Sequence, residues 1–368
     1  MEGGHGAPGA EKDGEERQGS MQHESESGPA IPPRHPEVGR ASSKYDFVKV
    51  RVWLADHYYT FSRFLVSRVL SVTKVSYADT LKISLALKKE LVDKGRLDVT
   101  QEDMEASLFA IMRHQGYGDE YISRYRLLSL FNHQRVPLVI LICGTGRTGK
   151  STLATQLAER LNLSAVLQTD LVFEVMRQVS PTMSNTPKAL HRRFGSREEF
   201  LAAHAEERAL VRGGLEGELR KVLEEGKTLI IEGSHLDPEG FADVQEVAER
   251  RRREGNPFIF VPFTLSAAPA DHQVFLNNSS TSERGHELLD FGDDPEAQAL
   301  GLRANLAHLD AYLREASTRC SVPVLRVGVQ IFGETLDALH TRVLEHIHMA
   351  VRQQGGGDGG GRDGDTGE

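Results

Sequence analysis

The residues best suited to chemistry lie together in one short glycine-rich segment, Gly144 to Ser151. Its sequence, GTGRTGKS, fits the pattern G-x-x-x-x-G-K-[ST] of loops that bind phosphate. An apolar run (138–143) precedes it, and apolar residues at helical spacing follow, so the pattern predicts a strand, a loop and a helix in succession. Glycines let backbone amides approach phosphate, and the helix N-terminus adds partial positive charge. The segment therefore predicts binding of a nucleoside triphosphate.

Each part of this loop has an expected task in holding ATP and Mg²⁺. Lys150 is expected to reach the β- and γ-phosphates, and the Ser151 hydroxyl to ligate Mg²⁺. Thr152 supplies a further hydroxyl that could contact phosphate. The predicted nucleotide-binding residues are Gly144, Thr145, Gly146, Arg147, Thr148, Gly149, Lys150, Ser151 and Thr152.

The elements that must position the loop follow Pro137 as alternating strand-like and helical runs. Such alternation predicts an α/β fold, a parallel sheet between helices, in which ligands gather at the carboxyl ends of the strands. The predicted strands are 138–143, 165–168, 228–232, 258–265 and 322–327. The predicted helices are 151–161, 171–179, 197–225, 241–254, 300–316 and 336–351.

The region before Pro137 reads as a mainly helical domain with one early hairpin. A β-prone stretch (48–53) precedes four segments of helical periodicity, and Thr100 with Asp103 three residues later is an N-cap signal. The helical segments are 61–72, 81–91, 102–113 and 120–130. The predicted divisions are a disordered tail (1–43), the helical domain (44–132), the P-loop domain (136–351) and a disordered Gly/Asp tail (352–368).

Two carboxylates are predicted at strand ends beside the loop. Asp170 could accept the proton of an acceptor hydroxyl or hold Mg²⁺ through water, although aspartate at that position could also cap the following helix. Glu232 ends the next strong strand, where P-loop enzymes place an acid that orients metal-bound water or the attacking group. The predicted catalytic residues are thus Lys150, Asp170 and Glu232, and the predicted metal-binding residues are Ser151 and Asp170.

Other polar residues near the strand ends leave two interpretations open. His235 and Asp237 could touch the substrate or simply belong to a polar loop. A basic group between the second and third strands could meet an anionic substrate or lie on the surface; it comprises His191, Arg192, Arg193 and Arg197. The run Arg250 to Arg253 is more simply a solvated helix end whose charge suits the helix dipole.

Composition narrows the class of protein. The formal net charge of −9 argues against broad attraction to nucleic acid or anionic membrane. No apolar run approaches the roughly 20 residues needed to span a bilayer, and the first residues lack a secretory pattern, so we expect a cytoplasmic protein, with the nucleus possible. Cys143 and Cys320 are expected to be reduced thiols in the core.

Three motifs around the predicted site carry a family resemblance. They are CGTGRTGKSTLATQLA (143–158), VLQTDLVFEVMR (166–177) and LIIEGSHLDP (229–238). Together with stretches before Pro137, including SKYDFVKVRVW (43–53) and GYGDEYISRYR (116–126), they resemble the 2-phosphoglycerate kinase family. The similarity is closest to its plant branch, the P-loop proteins named for low phytic acid, and it covers roughly residues 43–351.

The resemblance implies a fold and an activity. The helical domain looks like an ATP-cone, a module that binds nucleotides in other enzymes. The family transfers the γ-phosphate of ATP to 2-phosphoglycerate, and the plant branch is associated with phytic acid. The implied partner is therefore a small phosphorylated metabolite, either 2-phosphoglycerate or an inositol phosphate, with no nucleic acid or membrane partner and an open oligomeric state.

One departure from the family favours a rival hypothesis. Kinases of this class usually close a lid with arginines over the transferring phosphoryl group, and microbial members carry a basic segment after the fourth strand. Here residues 267–283 contain no Arg or Lys, and Arg284 and Arg303 come only afterwards. The alternative is an ATP-binding regulatory protein of inositol-phosphate metabolism with little transfer activity.

Overall fold

The β-prone stretch near the start of the chain forms a small sheet. In the computed structural model, which describes residues 44–163, 166–180, 186–279 and 295–355, a 3-10 helix (Lys44–Phe47) belongs to a first compact unit, separate from residues 48 onward. Strand β1 (Arg51–Leu54) pairs antiparallel with β2 (His57–Thr60), so the predicted hairpin is confirmed. A third strand, β3 (Asp98–Thr100), pairs parallel with β1. The sequence does not predict β3, because three residues are too few to show alternation.

Capping residues fix the starts of the helices that follow. Ser62, Ser76 and Thr100 each accept a hydrogen bond from the backbone N–H three residues later, which satisfies an end amide of the helix. The predicted cap at Thr100 is confirmed. The helices are α1 (Arg63–Val72), α2 (Tyr77–Asp93), α3 (Gln101–His114) and α4 (Asp119–Gln134).

The strand-like runs after Pro137 form the predicted parallel sheet. Among the described residues its strands are β4 (Leu138–Gly144), β5 (Val166–Gln168), β6 (Thr228–Gly233), β7 (Ile259–Ala267) and β8 (Val324–Val327). They lie in the order β5-β6-β4-β7-β8, all parallel. The register pairs Cys143 with Gly233, so the glycine-rich loop and the end of β6 leave the sheet side by side.

Helices cover both faces of this sheet, which makes the fold α/β. The buried side chains of β4 alternate: Ile140 packs in the same apolar cluster as residues of the helices on one face, and Val139 and Leu141 pack in the cluster of the other face. The helices are α5 (Lys150–Leu161), α6 (Thr169–Val179), α7 (Arg197–Glu225), α8 (Ala242–Arg253), α9 (Pro269–Ser279), α10 (Pro295–Arg319) and α11 (Phe332–Gly355). A 3-10 helix (Ala189–His191) precedes α7, and a second one (Glu239–Phe241) precedes α8.

The helices before Pro137 pack directly against the parallel sheet and the helices on one of its faces. Leu128 and Phe131 belong to the same buried cluster as Leu138, and Lys74 Nζ donates a hydrogen bond of 2.6 Å to Thr341 Oγ1 on α11. The division into a helical domain (44–132) and a P-loop domain (136–351) stays a prediction. The predicted tail at 1–43 lies outside the described residues, as do 356–368, while α11 continues to Gly355, past the predicted start of the second tail.

Two further predictions concern the cysteines and membrane-spanning helices. Cys143 is a buried free thiol, and Cys320 is a free thiol that is only half-buried rather than part of the core. Within the described ranges, no helix combines the length and the apolar character needed to cross a membrane.

Candidate functional site

The glycine-rich loop turns tightly from β4 into α5, and two of its glycines have no room for a side chain. A Cβ on Gly144 would lie 2.9 Å from the Leu265 carbonyl oxygen. Gly149 is the N-cap of α5 and has a left-handed φ of 77°, and a Cβ there would lie 3.0 Å from Phe332. Glycine at these two positions thus allows the tight turn that presents backbone amides at the N-terminus of α5, where phosphate can bind.

Lys150 is the first residue of α5 and is buried inside the loop. Its Nζ donates a 2.6 Å hydrogen bond to the Thr145 carbonyl oxygen, which also accepts a 3.0 Å hydrogen bond from Thr148 Oγ1. Burial lowers the pKa of Lys150, and the charges of Glu232 and Asp170 oppose that change. The ammonium group is therefore held at the centre of the loop, within the electrostatic reach of both predicted carboxylates.

Ser151 and Glu232 are brought together, as a metal site on this loop would require. Ser151 Oγ donates a 2.7 Å hydrogen bond to Glu232 Oε1 at the end of β6. Burial raises the pKa of Glu232, while Lys150 and the Ser151 hydrogen bond oppose the rise. A hydroxyl beside a carboxylate offers the hard oxygen donors that Mg²⁺ prefers, so these two residues fit the ion. Thr152, the next residue, is exposed.

Asp170 is the second residue of α6, directly after β5 ends at Gln168. The helix begins at Thr169, earlier than the predicted Leu171, and it has no side-chain cap hydrogen bond, so Asp170 does not cap it. Its side chain is 60% exposed. Asp170 Oδ1 lies 3.7 Å from His235 Nδ1 and 3.9 Å from Lys188 Nζ. This carboxylate is therefore accessible from solvent and lies beside a cation.

The loop after β6 is buried rather than exposed. His235 and Asp237 are 3% and 6% exposed. Asp237 accepts hydrogen bonds from Arg208 Nη1 at 2.9 Å and from the Gly240 backbone N–H at 2.8 Å, so its role is to hold the loop. His235 has a different environment, because its Nδ1 atom lies 3.7 Å from Asp170 Oδ1.

The basic residues singled out in the sequence lie in different parts of the structure. Arg197 starts α7 and pairs with Glu315 at 3.0 Å, and the four arginines 250–253 form the last turn of α8, as predicted. His191 ends the 3-10 helix that begins at Ala189, and Arg192 and Arg193 follow it. Arg303 is exposed on α10, and Arg284 lies outside the described residues.

Three side chains near Asp170 are not predicted by the sequence. Lys188 is only 12% exposed and lies 3.3 Å from Glu174 Oε1 as well as close to Asp170. Glu207 and His204, one turn apart on α7, are 1% and 0% exposed. Burial raises the pKa of Glu207 to about 7. Their burial marks them only in the structure, where buried charge is rare without a specific role; in the sequence they lie among the many charged residues of α7.

Helix α9 covers the glycine-rich loop from the side of β7. His272 lies 3.0 Å, through Nε2, from the Gly146 carbonyl oxygen, so that nitrogen carries the hydrogen if the contact is a hydrogen bond. The segment predicted as an arginine-poor lid thus begins as a helix whose histidine contacts the phosphate loop. Its continuation at 280–294 lies outside the described residues.

Part of this chain is similar to known proteins. Residues 140–261 match the family model described as an AAA domain. A solved structure from Chloroflexus aurantiacus is 20% identical and covers 58% of this chain and 98% of that chain, with a TM-score of 0.34.

A phosphate loop between β4 and α5, with an acidic residue at the end of the neighbouring strand, defines a nucleotide-binding protein of the P-loop kinase class. The 2-phosphoglycerate kinase of Pyrococcus horikoshii is 30% identical over 229 residues, which are 58% of this chain and 75% of that protein. The 2-phosphoglycerate kinase of Methanocaldococcus jannaschii is 24% identical over 304 residues, 80% of this chain and 91% of that protein. The chain belongs to the 2-phosphoglycerate kinase family.

Proposed function

We propose that this chain is an ATP- and Mg²⁺-dependent kinase that phosphorylates a hydroxyl group of a small, already phosphorylated metabolite. The observation that carries the proposal is the arrangement of two groups at one edge of the sheet. The donor side is the loop Gly144 to Ser151, and the acceptor side is Asp170 with Lys188 beside it. Both sides lie where ligands bind in parallel sheets.

The donor side would hold ATP through the backbone amides of the loop and through Lys150. The Lys150 ammonium now donates to the Thr145 carbonyl oxygen and would exchange that partner for phosphate oxygens. Ser151, next to Glu232, would ligate Mg²⁺, which when bound neutralises charge on the phosphates. The predicted contact of Asp170 with Mg²⁺ through water stays a prediction.

The acceptor side supplies a base and a cation. The acceptor hydroxyl would give its proton to the Asp170 carboxylate while its oxygen attacks the γ-phosphorus. The bond from the γ-phosphorus to the β,γ-bridging oxygen breaks, and ADP leaves with that electron pair. Glu232 would orient the Ser151 hydroxyl that donates to it. Lys188, 3.9 Å from Asp170, would pair with the phosphate that the acceptor already carries.

The position of Lys188 also bears on the arginine-poor segment after β7. A cation at the acceptor side favours an anionic acceptor even though residues 267–283 contain neither arginine nor lysine. The names of the relatives support 2-phosphoglycerate as the first acceptor to test, with 2,3-bisphosphoglycerate and ADP as products. Inositol phosphates, suggested by the resemblance to plant proteins, form the second group.

Labelled ATP distinguishes catalysis from regulation. Purified protein with [γ-³²P]ATP and Mg²⁺ is incubated with 2-phosphoglycerate, with 3-phosphoglycerate as an isomer control, and with a set of inositol phosphates. We expect label in one acceptor, and loss of that label with Lys150→Ala. ATP binding without transfer to any acceptor would contradict the kinase proposal and favour the regulatory alternative.

A further inference from the structure

Behind Asp170 lies a stack of rings in the protein interior. The His235 ring lies between Phe173, with ring centroids 4.9 Å apart and an interplanar angle of 19°, and His204, at 5.7 Å and 2°. His235 is only 3% exposed. The ring therefore cannot turn freely, and each of its two nitrogens faces a fixed set of neighbours.

The two ring nitrogens of His235 face different groups of the acceptor side. Nδ1 lies 3.3 Å from Thr169 Oγ1 and 3.7 Å from Asp170 Oδ1. Nε2 lies 3.8 Å from Glu207 Oε2. The distances to the carboxylates are longer than hydrogen bonds, as is common for catalytic contacts before substrate binds. The ring thus stands between the exposed carboxylate and the buried one.

Glu207 in turn holds the segment that carries Lys188. Its Oε1 accepts a 2.6 Å hydrogen bond from the Ala189 backbone N–H. From the other side, Asn305 Nδ2 donates to the carbonyl oxygens of Leu190 at 3.1 Å and Arg192 at 2.8 Å. The short helix after Lys188 is therefore fixed at its first residue by the same carboxylate that faces His235.

This cluster carries polar atoms that packing alone does not explain. Among the described residues, Glu207 Oε2 and both ring nitrogens of His204 are buried without a hydrogen-bond partner. A buried polar atom without a partner destabilises the fold relative to a paired one. Burial lowers the pKa of His235 to about 4. A neutral imidazole has one N–H, so the choice of nitrogen matters for both neighbours.

Building on the proposed kinase function, we propose that Glu207 and His235 are positioning residues that link the Lys188 segment to Asp170. Glu207 fixes the His235 tautomer with hydrogen on Nε2, facing its own carboxylate. Nδ1 then accepts the hydrogen of the Thr169 hydroxyl and offers Asp170 no hydrogen bond. The Asp170 carboxylate then receives no hydrogen bond from His235 and can accept one from the acceptor hydroxyl.

Histidine NMR tests this link without any need for activity. In protein labelled with ¹⁵N-histidine, the His235 signals are those that disappear in His235→Gln. At pH 8.5, where Glu207 is mostly ionised, we expect the Nε2–H tautomer in the wild type. In Glu207→Gln the side-chain oxygen keeps the Ala189 N–H, so its amide nitrogen donates to His235 Nε2 and moves the hydrogen to Nδ1. An Nδ1–H tautomer in the wild type, or an unchanged tautomer in the variant, would overturn the proposal.

Kinetics supply the second readout. We expect Glu207→Gln to lower kcat about tenfold and leave the KM for ATP unchanged, since the donor side is untouched. The matched control is Glu206→Gln, an exposed neighbour on α7, which should keep wild-type values. Equal losses in both variants, or a changed KM for ATP, would contradict a positioning role.

Two further results distinguish failure of this proposal from a misfolded variant and from failure of the kinase proposal. If Glu207→Gln fails to fold, Thr169→Val deletes the hydroxyl at the other end of the link and should lower kcat several-fold with ATP binding unchanged; unchanged kcat would overturn the link. If the wild type transfers phosphate to no acceptor, the kinase proposal fails, and the NMR result still decides the tautomer.

Discussion

The donor side of the cleft is made of consecutive residues, whereas the acceptor side draws Asp170, Lys188, Glu207 and His235 from separate segments. The donor loop would bind phosphate through backbone amides, and Gly144 is needed for space, because a Cβ there would lie 2.9 Å from a carbonyl oxygen. The acceptor side depends on side chains, two of which are buried carboxylate and imidazole groups. The donor side is thus a local structure, while the acceptor side is a product of tertiary packing.

This difference predicts a total loss of activity from a single change on the donor side. Lys150→Ala removes the buried ammonium that would stabilise the transferring phosphoryl group, and we expect transfer to fall about a thousandfold or more. The measurement is the rate of label transfer from [γ-³²P]ATP. Lys221→Ala, on the exposed face of α7, is the control. A Lys150→Ala rate within tenfold of the wild type would mean that the loop does not act on the γ-phosphate.

The acceptor side should lower the free energy of unfolding, because it buries the Glu207 carboxylate. Burial raises the pKa of Glu207 to about 7 from an ordinary value of 4.5, so the contribution of this group to stability is greatest below pH 4.5 and is lost as pH rises through 7. Glu207→Gln lacks this loss and should be more stable by up to about 3 kcal/mol at pH 8, with little difference at pH 4.5. Urea unfolding at both pH values measures it. An offset that is the same at both would contradict the pH dependence.

Close packing at the end of β6 should make that strand end intolerant of a methyl group. A Cβ on Gly233 would lie 1.6 Å from Thr169 Oγ1, so Gly233→Ala must displace Thr169 and its contact with His235. We expect a loss of about 2 kcal/mol in the free energy of unfolding. Gly213→Ala in α7 meets nothing within 4 Å and should instead gain about 0.5–1 kcal/mol. Equal effects in urea unfolding would show that the approach to Thr169 is loose.

The smallest expected effect concerns recognition of the acceptor's phosphate. Lys188→Gln should raise the KM for the acceptor about tenfold, or about 1.4 kcal/mol, and leave the KM for ATP unchanged. Steady-state kinetics with each substrate varied separately provide the measurement, with Lys227→Gln, an exposed lysine beside β6, as control. A change confined to the KM for ATP would place Lys188 on the donor side instead.

The same contrast explains how much could be predicted from the sequence. The strand, loop and helix around Lys150 follow from one contiguous motif, and the helix 197–225 is predicted with the bounds that the structure gives it. Asp170 and Glu232 could be proposed because apolar strands end beside them. Glu207 could not, since it lies in a helix with many charged residues and its burial depends on packing against distant segments. Lys188 likewise stands beside Asp170 only after the chain has folded.

Asp170→Asn distinguishes a role of Asp170 toward the acceptor from a role in ATP binding. On the same samples, the ATP dissociation constant is measured by titration and the transfer of γ-phosphate to 2-phosphoglycerate by single-turnover kinetics. We expect wild-type ATP affinity with transfer slowed at least about a hundredfold, because the amide accepts no proton. Transfer at the wild-type rate, or a matching loss of ATP affinity, would contradict it.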